Sequence, residues 1–383
     1  MNRPEDIVLF NQPYQTGKEQ EYIQQALACG HTASAGPFTA QCENWLERHT
    51  GSHRVLLTHS CTNALEMAAV LLNIQPGDEV IMPSFTFTST ANAFVLRGAT
   101  PVFVDIRADT LNIDETLIEQ AITAKTRAIV PVHYAGAACE MDTIIAIAQK
   151  HNLAVVEDAA QCLGSTYKGQ ALGSIGHLGT YSFHASKNIQ CGEGGALLIN
   201  DEDLIERAEI LHDKGTTRAQ FRAGKIRQYS WVDLGMSAPP SELQAAFLLA
   251  QLEASQDINL RRRDHWKRYH DSLEGAEQTG MLKRPKPSPH GTHNAHIFAL
   301  TFPSKQQRHE AAEHLKSHGI ATAIHYEPLH LSKAGKKWGG ASGALQNSKC
   351  LPQRLLRLPL WHDLPDSIPE AASRLITNLM TNH

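Results

Sequence analysis

From about residue 50 onward, short apolar, β-branched runs alternate with stretches whose apolar residues recur at helical spacing. "RVLLTHS" reads as a strand and the following "CTNALEMAAVLLN" as a helix. The alternation continues through "DEVIMPS" and the helix "STANAFVLRG", then "TPVFVDI" and the helix "DETLIEQAIT". It closes with "RAIVPVHY", the helix "MDTIIAIAQKHN" and the strand "LAVVEDAA". Strands separated by helices of about 10–15 residues form βαβ units and predict a largely parallel sheet covered on both faces. "GTYSFH" and "GALLIN" add two strands around a glycine-dense turn, and a long helical stretch opens at Ser241 in "SELQAAFLLAQLEASQDINLRRRDHWKRYHDSLEG". Beyond it the texture changes: a Pro-rich "RPKPSPHGTHN", a strand "AHIFALTF", a helix "KQQRHEAAEHLKSHG" and a run "IATAIHY". The chain is thus expected to be α/β, with a large domain over residues 1–250 and a smaller α+β domain over 251–383, since 383 residues exceed one ordinary core.

A hydrophobic content of 42% with 19% charged residues belongs to a folded globular protein. No apolar run approaches the roughly 18–20 residues that cross a bilayer, and "MNRPEDIVLFNQPY" places acids and prolines where a secretory signal needs an apolar run. The expectation is a cytoplasmic protein. A formal charge of −4 gives no global field for nucleic acid or an anionic membrane. The basic "RRRDHWKRYH" reads as the solvated face of a helix with Trp266 and Tyr269 turned inward. Seven scattered cysteines form no C-x-x-C pair, so neither a disulfide framework nor a zinc knuckle is expected. His290, His293 and His296 recur every third residue, but in a loop leading to a strand, where a structural role outweighs metal binding.

The chemistry concentrates at strand ends, where open α/β sheets bind ligands. Lys187 lies in "YSFHASKNIQCGEGGALLIN", between a strand and the glycines Gly192 to Gly195. Asp158 ends the strand "LAVVED". Ser60, Cys61 and Thr62 open a helix after another strand, so their hydroxyls and amides suit a phosphate, although a plain helix cap has the same appearance. Phe87 follows a further strand end and suits the face of a planar ring. A lysine, a strand-end carboxylate, an anion cradle and an aromatic are what pyridoxal 5′-phosphate requires: an amine for its aldehyde and an acid for its ring nitrogen.

The motifs "EDAAQ", "SFHASKN" with "GEGGA", "MPSFTF", "HYEPLH" and "LQAA" resemble those of the DegT/DnrJ/EryC1/StrS sugar-nucleotide aminotransferases, over nearly the whole chain. "KGTTRAQF", "YSWVDLG" and "CEMDTI" are most similar to the dTDP-4-oxo-6-deoxy-D-glucose transaminases within that family. The resemblance implies an aspartate-aminotransferase-like (PLP type I) large domain with a mostly parallel seven-stranded sheet. It implies homodimers with active sites at the interface, a nucleotide-sugar substrate, L-glutamate as amino donor and a place in cell-surface polysaccharide synthesis (O-antigen, lipopolysaccharide). Residue by residue, it makes Lys187 the cofactor-linking lysine and base, Asp158 the partner of the ring nitrogen and Gln161 that of the phenolic oxygen. Phe87 would stack on the ring, Ser182, Cys61 and Thr62 would hold the phosphate, and Ser237 would reach the partner's phosphate. Lys214, Arg218 and His325 are candidates for the substrate diphosphate. "MSAPPS" carries two prolines where an aromatic is expected, and the spacing from Lys187 to "GEGG" is one residue short of that subgroup's. The related sugar dehydratases carry histidine where this chain has Lys187, and a non-catalytic binding protein on the same scaffold would have lost one of these residues.

Overall fold

The computed structural model describes residues 7–381. Five strands follow in turn: β1 (Arg54–Thr58), β2 (Glu79–Pro83), β3 (Thr100–Val104), β4 (Thr126–Ile129) and β5 (Ala154–Asp158). A small hairpin, β6 (Thr166–Tyr167) and β7 (Gln170–Ala171), precedes β8 (Leu178–Ser182) and β9 (Gly195–Ile199). The C-terminal part adds β10 (Gly291–Thr292), β11 (Phe298–Thr301), β12 (Gly340–Ala341) and β13 (Leu355–Leu358). The main sheet has the order β1-β9-β8-β5-β4-β2-β3-β12. All its pairings are parallel except those of β9, which runs against both β1 and β8. The seven expected strands are therefore joined by an eighth, a two-residue rung from the C-terminal part at the β3 edge.

Side chains alternate across this sheet with the two-residue period of a strand. Leu57, Ile81, Val104, Ile129, Val155 and Leu198 enter one apolar layer. Leu56, Val80, Phe103, Ala128, Val156 and Leu197 enter the layer on the opposite face. Each such leucine, isoleucine, valine or phenylalanine, fully buried, contributes roughly 1.5–3 kcal/mol. A third cluster gathers Tyr269, Phe298, Leu300, Phe302, Leu315 and Trp361 around β11 and β13. Between these bodies Phe85, Tyr134, Ile297 and Leu355 pack together, so residues from both parts of the chain share one small core beside the strand ends.

Helix boundaries follow side-chain chemistry. Ser60 caps the helix Cys61–Leu71 by accepting from the Asn63 amide at 3.1 Å. Ser241 and Gln244 form a reciprocal capping box on the helix Glu242–Glu253. The long helical stretch is in fact two helices, Glu242–Glu253 and Ser255–Ser272, broken at Ala254. On the second, Tyr269 is buried, Trp266 packs on the third cluster, and Arg262 is drawn inside to the His296 carbonyl at 2.9 Å. "DETLIEQAIT" is not an α-helix but two 3₁₀ turns, Glu115–Leu117 and Glu119–Ala121. The Asp114 carboxylate and Thr126 hydroxyl take the amides of Thr116 and Thr123, competing with a helical ladder at both ends. Two helices ahead of residue 50, Glu19–Ala28 and Pro37–Thr50, complete the outer layer.

Candidate active site

The carboxyl ends of β5 and β8, the start of the helix Cys61–Leu71 and the residues around 325 and 357 enclose a cavity of about 560 Å³. Lys187, Asp158, Gln161, Ser182, Ser60, Cys61, Thr62, Phe87 and His325 all line it. Lys214, Arg218 and Ser237 do not.

Asp158 is braced from behind. One carboxylate oxygen accepts from the Thr90 hydroxyl at 2.7 Å and the other from the Ala160 amide at 3.2 Å; Thr90 in turn lies 2.8 Å from the Thr86 hydroxyl. The adjacent Glu157 points to the other face of the strand. It accepts the amides of Gly173, Ile175 and Gly176 at 2.6–2.8 Å and lies 2.9 Å from His133 Nε2. Because His133 Nδ1 accepts the Cys139 amide at 3.1 Å, Nε2 carries the proton and donates to Glu157. Strand alternation thus divides two consecutive acids between structure and site, a distinction that their sequence neighbourhood leaves open.

Lys187 sits in the loop joining β8 to β9, where its amide closes a turn on the His184 carbonyl at 2.8 Å. Its half-buried amine is held below the ordinary lysine range, first by loss of solvent and further by the charge of Arg357; Asp158 opposes this. The shift is toward the neutral amine that attack on a carbonyl requires.

The anion cradle rests on one glycine. Gly195, first residue of β9, pairs with both Thr58 and Ser182, and a Cβ there would lie 2.3 Å from the Cys61 nitrogen. Only glycine lets the strand meet the helix N-terminus this closely. The Ser60 hydroxyl is spent on its cap, whereas the Cys61 and Thr62 amides have no intrahelical acceptor by position. Thr62 Oγ1 lies 2.7 Å from Ser89 Oγ, and Ser182 faces the same space. Burial pushes the Cys61 thiol well up, leaving it an inert wall. Gln161 is fixed by the Ala135 amide on its oxygen at 2.6 Å and by its nitrogen donating to the Tyr326 hydroxyl at 3.2 Å. Phe87, 57% exposed, stands at the mouth with its ring centroid 6.3 Å from that of Tyr326. This donor set fits a flat, phosphorylated aldehyde: amides and hydroxyls for the phosphate, an oriented carboxylate and an amine.

His325 is placed differently from its expected role as a cation. Loss of solvent, with the charges of Arg357 and Lys187, pushes its imidazole down to about 2, and Nε2 accepts from Arg357 Nη1. It is neutral, and the positive charge at this wall belongs to Arg357. Lys214 and Arg218, with Arg222, gather round the buried Asp213 at 3.2–3.5 Å. Ser237 forms a β-bridge with Asp213 on the same outer segment. Sequence reasoning missed Thr90, His296, Tyr326 and Arg357; the first was legible as a hydroxyl one helical turn from Thr86, the others only once the C-terminal strands had been placed.

Residues 13–378 match the DegT/DnrJ/EryC1/StrS aminotransferase family. The spore coat polysaccharide biosynthesis protein SpsC of Bacillus subtilis is 36% identical over 359 residues, covering 91% of each chain. The PLP-form of a sugar aminotransferase described as putative, Spr1654 of Streptococcus pneumoniae, superposes with a TM-score of 0.89 at 29% identity, covering 98% of this chain and 99% of that one. An aminotransferase from Psychrobacter cryohalolentis gives a TM-score of 0.91 at 29% identity, with 98% and 99% coverage.

Proposed function

Since the chain belongs to the DegT/DnrJ/EryC1/StrS aminotransferase family, we propose that it is a pyridoxal 5′-phosphate-dependent transaminase of a nucleotide-linked keto-deoxysugar. The substrate of this reading is dTDP-4-dehydro-6-deoxy-D-glucose, converted to the 4-amino-4,6-dideoxy sugar with L-glutamate as donor. The observation that carries it is the meeting of Lys187 and Asp158 in one cavity that Ser60, Cys61 and Thr62 also line, the helix start that Gly195 lets approach β9. SpsC, named for polysaccharide biosynthesis, and Spr1654, described as a putative sugar aminotransferase, support the sugar substrate.

Bound in this cavity, the cofactor supplies an aldehyde that captures amines and a ring that takes up the electron pair released with a proton. The amides of Cys61 and Thr62 and the Ser182 hydroxyl would hold its phosphate, and Phe87 would cover its ring at the mouth. Gln161, fixed by Ala135 and Tyr326, would hold the phenolic oxygen. Asp158, oriented by Thr90 and Ala160, keeps negative charge where a ring N–H needs it, and fixed charges of this kind act strongly in a site that excludes water. Lys187 Nζ, poised toward its neutral form, would accept the proton from the donor's carbon and return it to the sugar's.

In this reading the protein is a homodimer. Ser237, Lys214 and Arg218 lie outside their own cavity because they would serve the partner's, on a segment whose Trp231 is 79% exposed. The chain divides into 1–250 and 251–383, with the cavity between them. Product formation is the test: with cofactor, L-glutamate and a panel of 3-oxo and 4-oxo sugars on dTDP and UDP, an amino sugar is expected, its ring configuration read by NMR. A product from only a 3-oxo or UDP-linked member would shift the substrate within the same chemistry. A colourless protein that takes up no cofactor would instead mark a binding protein and overturn the enzyme reading.

A further inference from the structure

A second cavity, of about 340 Å³, shares Ile297 with the first as a common wall. Residues 108–111 and the turn at Tyr134 and Ala135 meet there with Trp266, the segment 282–287, His293 and part of β11. Its volume lies in the range of roughly 300–1,000 Å³ common to small-molecule sites. Leu111, Leu282, Ile297 and Ala299 give it apolar surface beside the rings of Trp266 and Tyr134. Its charges are one-sided. The acids that line it already have partners: Asp109 meets Arg107 at 3.0 Å and Glu277 meets Arg284 at 2.8 Å. The amines of Lys283 and Lys286 have neither an ion pair nor a hydrogen bond among the described residues. His293 adds a donor. Its Nδ1 accepts the Ala295 amide at 3.1 Å, so Nε2 carries the proton, and that N–H meets no acceptor among the described residues. Loss of solvent pushes the imidazole down to about 4, which keeps this neutral tautomer near neutral pH.

Two lysine cations, an imidazole N–H and acids that are already paired call for an anion. The donors select its kind. The Arg284 fork, which would suit a planar carboxylate, is closed on Glu277, and the remaining donors are point-like. A tetrahedral phosphate accepts such donors from several directions. The rings of Trp266 and Tyr134, with Pro285 and Pro287, suit a flat ring attached to that phosphate. We propose that this cavity is a second ligand site, taking a phosphate monoester of a ring compound, of the class of nucleoside monophosphates. The shared wall gives its occupant a route to the first cavity. Ala135, held in the left-handed region at φ 61°, donates its amide to Gln161 at 2.6 Å, and the Tyr134 hydroxyl lies 3.4 Å from His325 Nδ1. A ligand pressed on this turn alters the aim of Gln161. That link rests on the transaminase reading, in which Gln161 holds the cofactor's phenolic oxygen; the site itself does not.

Calorimetry on cofactor-loaded protein tests the site with 1-naphthyl phosphate as probe. One equivalent per chain should bind with a Kd on the order of 1 mM or tighter, and added salt should weaken it. The double variant Lys283→Ala, Lys286→Ala should lose about tenfold in affinity and His293→Phe about threefold, with amino-group transfer unchanged in both. The lysine variant changes only exposed side chains, so it decides the matter should His293→Phe not fold. Thymidine, uridine or adenosine monophosphate should displace the probe. Inorganic phosphate and 1-naphthoate, which carry only the anion or the wrong one, should bind at least about fivefold more weakly. No binding at about 10 mM probe, wild-type affinity in the lysine variant, displacement by none of the nucleotides, or naphthoate binding as tightly as the phosphate each overturns the proposal. One-for-one displacement by a keto-sugar nucleotide would put the probe in the cavity of Lys187 and overturn it as well. Saturating probe should also shift the visible cofactor band in wild type and not in the lysine variant; an unmoved wild-type band removes the link to Gln161. The two readings fail separately: probe binding without any amino sugar formed leaves the second site and removes the transaminase, and amino sugar formed without probe binding does the reverse.

Discussion

At the scale of single residues the site divides labour between groups that act and groups that aim them. Lys187→Ala should abolish both the visible absorbance of the bound cofactor and amino-group transfer, with the far-UV dichroism unchanged. Asp158→Asn keeps the shape and the Thr90 contact but removes the charge, so kcat should fall by about 10²–10³, the range seen when one oriented electrostatic partner is lost. Equal kcat in the asparagine variant, with cofactor bound, would exclude the electrostatic role. Lys187 and Asp158 were legible in the sequence because each closes a strongly apolar strand or its loop, where a charged residue needs a reason. Arg357 was not. Within "RLLRLPL" it reads as an outward position of a short strand, and only the folding of β13 beside residue 325 turns it inward. His325 was legible as a site residue but not in its charge, which the neighbouring guanidinium sets.

At the scale of elements, the meeting of β9 with the helix Cys61–Leu71 is the contact most exposed to a minimal change. Gly195→Ala would drive a methyl group against the Cys61 and Ser60 backbone, which has no flexible end to yield. Cofactor affinity should fall by at least about tenfold and thermal stability by several degrees, as for an overpacked core position costing about 1–3 kcal/mol. Equilibrium dialysis with the cofactor and a melting curve would check both; wild-type values in each would show that the cradle does not depend on this approach. The alternating strands and helices from residue 54 to 199 were readable because burial on both faces writes apolar runs. "DETLIEQAIT" misled because its apolar residues have helical spacing, while capping by Asp114 and Thr126 leaves room only for isolated turns. The break at Ala254 carries no proline or glycine and left no signal.

At the scale of the whole molecule, buried neutral histidines make the fold acid-sensitive. Burial pushes His212 down to about 4 while its Nε2–H donates to the Leu57 carbonyl at 2.6 Å, and His293 is likewise pushed down to about 4. Between pH 6.5 and 4 the unfolded chain binds protons at these residues that the folded chain refuses, so stability falls as pH falls through that window. His212 alone accounts for about 2 kcal/mol at pH 5. Urea titrations across pH should show the slope, and His212→Gln, which keeps a donor for Leu57, should lessen it by about one proton. The exposed Trp231, Val232 and Leu234 lie beside Lys214 and Ser237 on the outer segment. If they bury against a second copy, Trp231→Glu should move the sedimenting mass from twice 42.1 kDa toward the single chain and lower turnover with it; a dimer as tight as wild type would remove Trp231 from the interface. The reversed direction of β9 has a mechanical consequence. The segment carrying the nucleophile is tied at both ends, at Ser182 and at the facing Gly195, and turns straight back like a bowstring instead of passing over a helix. With no neighbouring spiral to absorb slack, every residue added to or taken from it must raise, lower or tilt the amine, so the length of that span sets the reach of the reactive nitrogen.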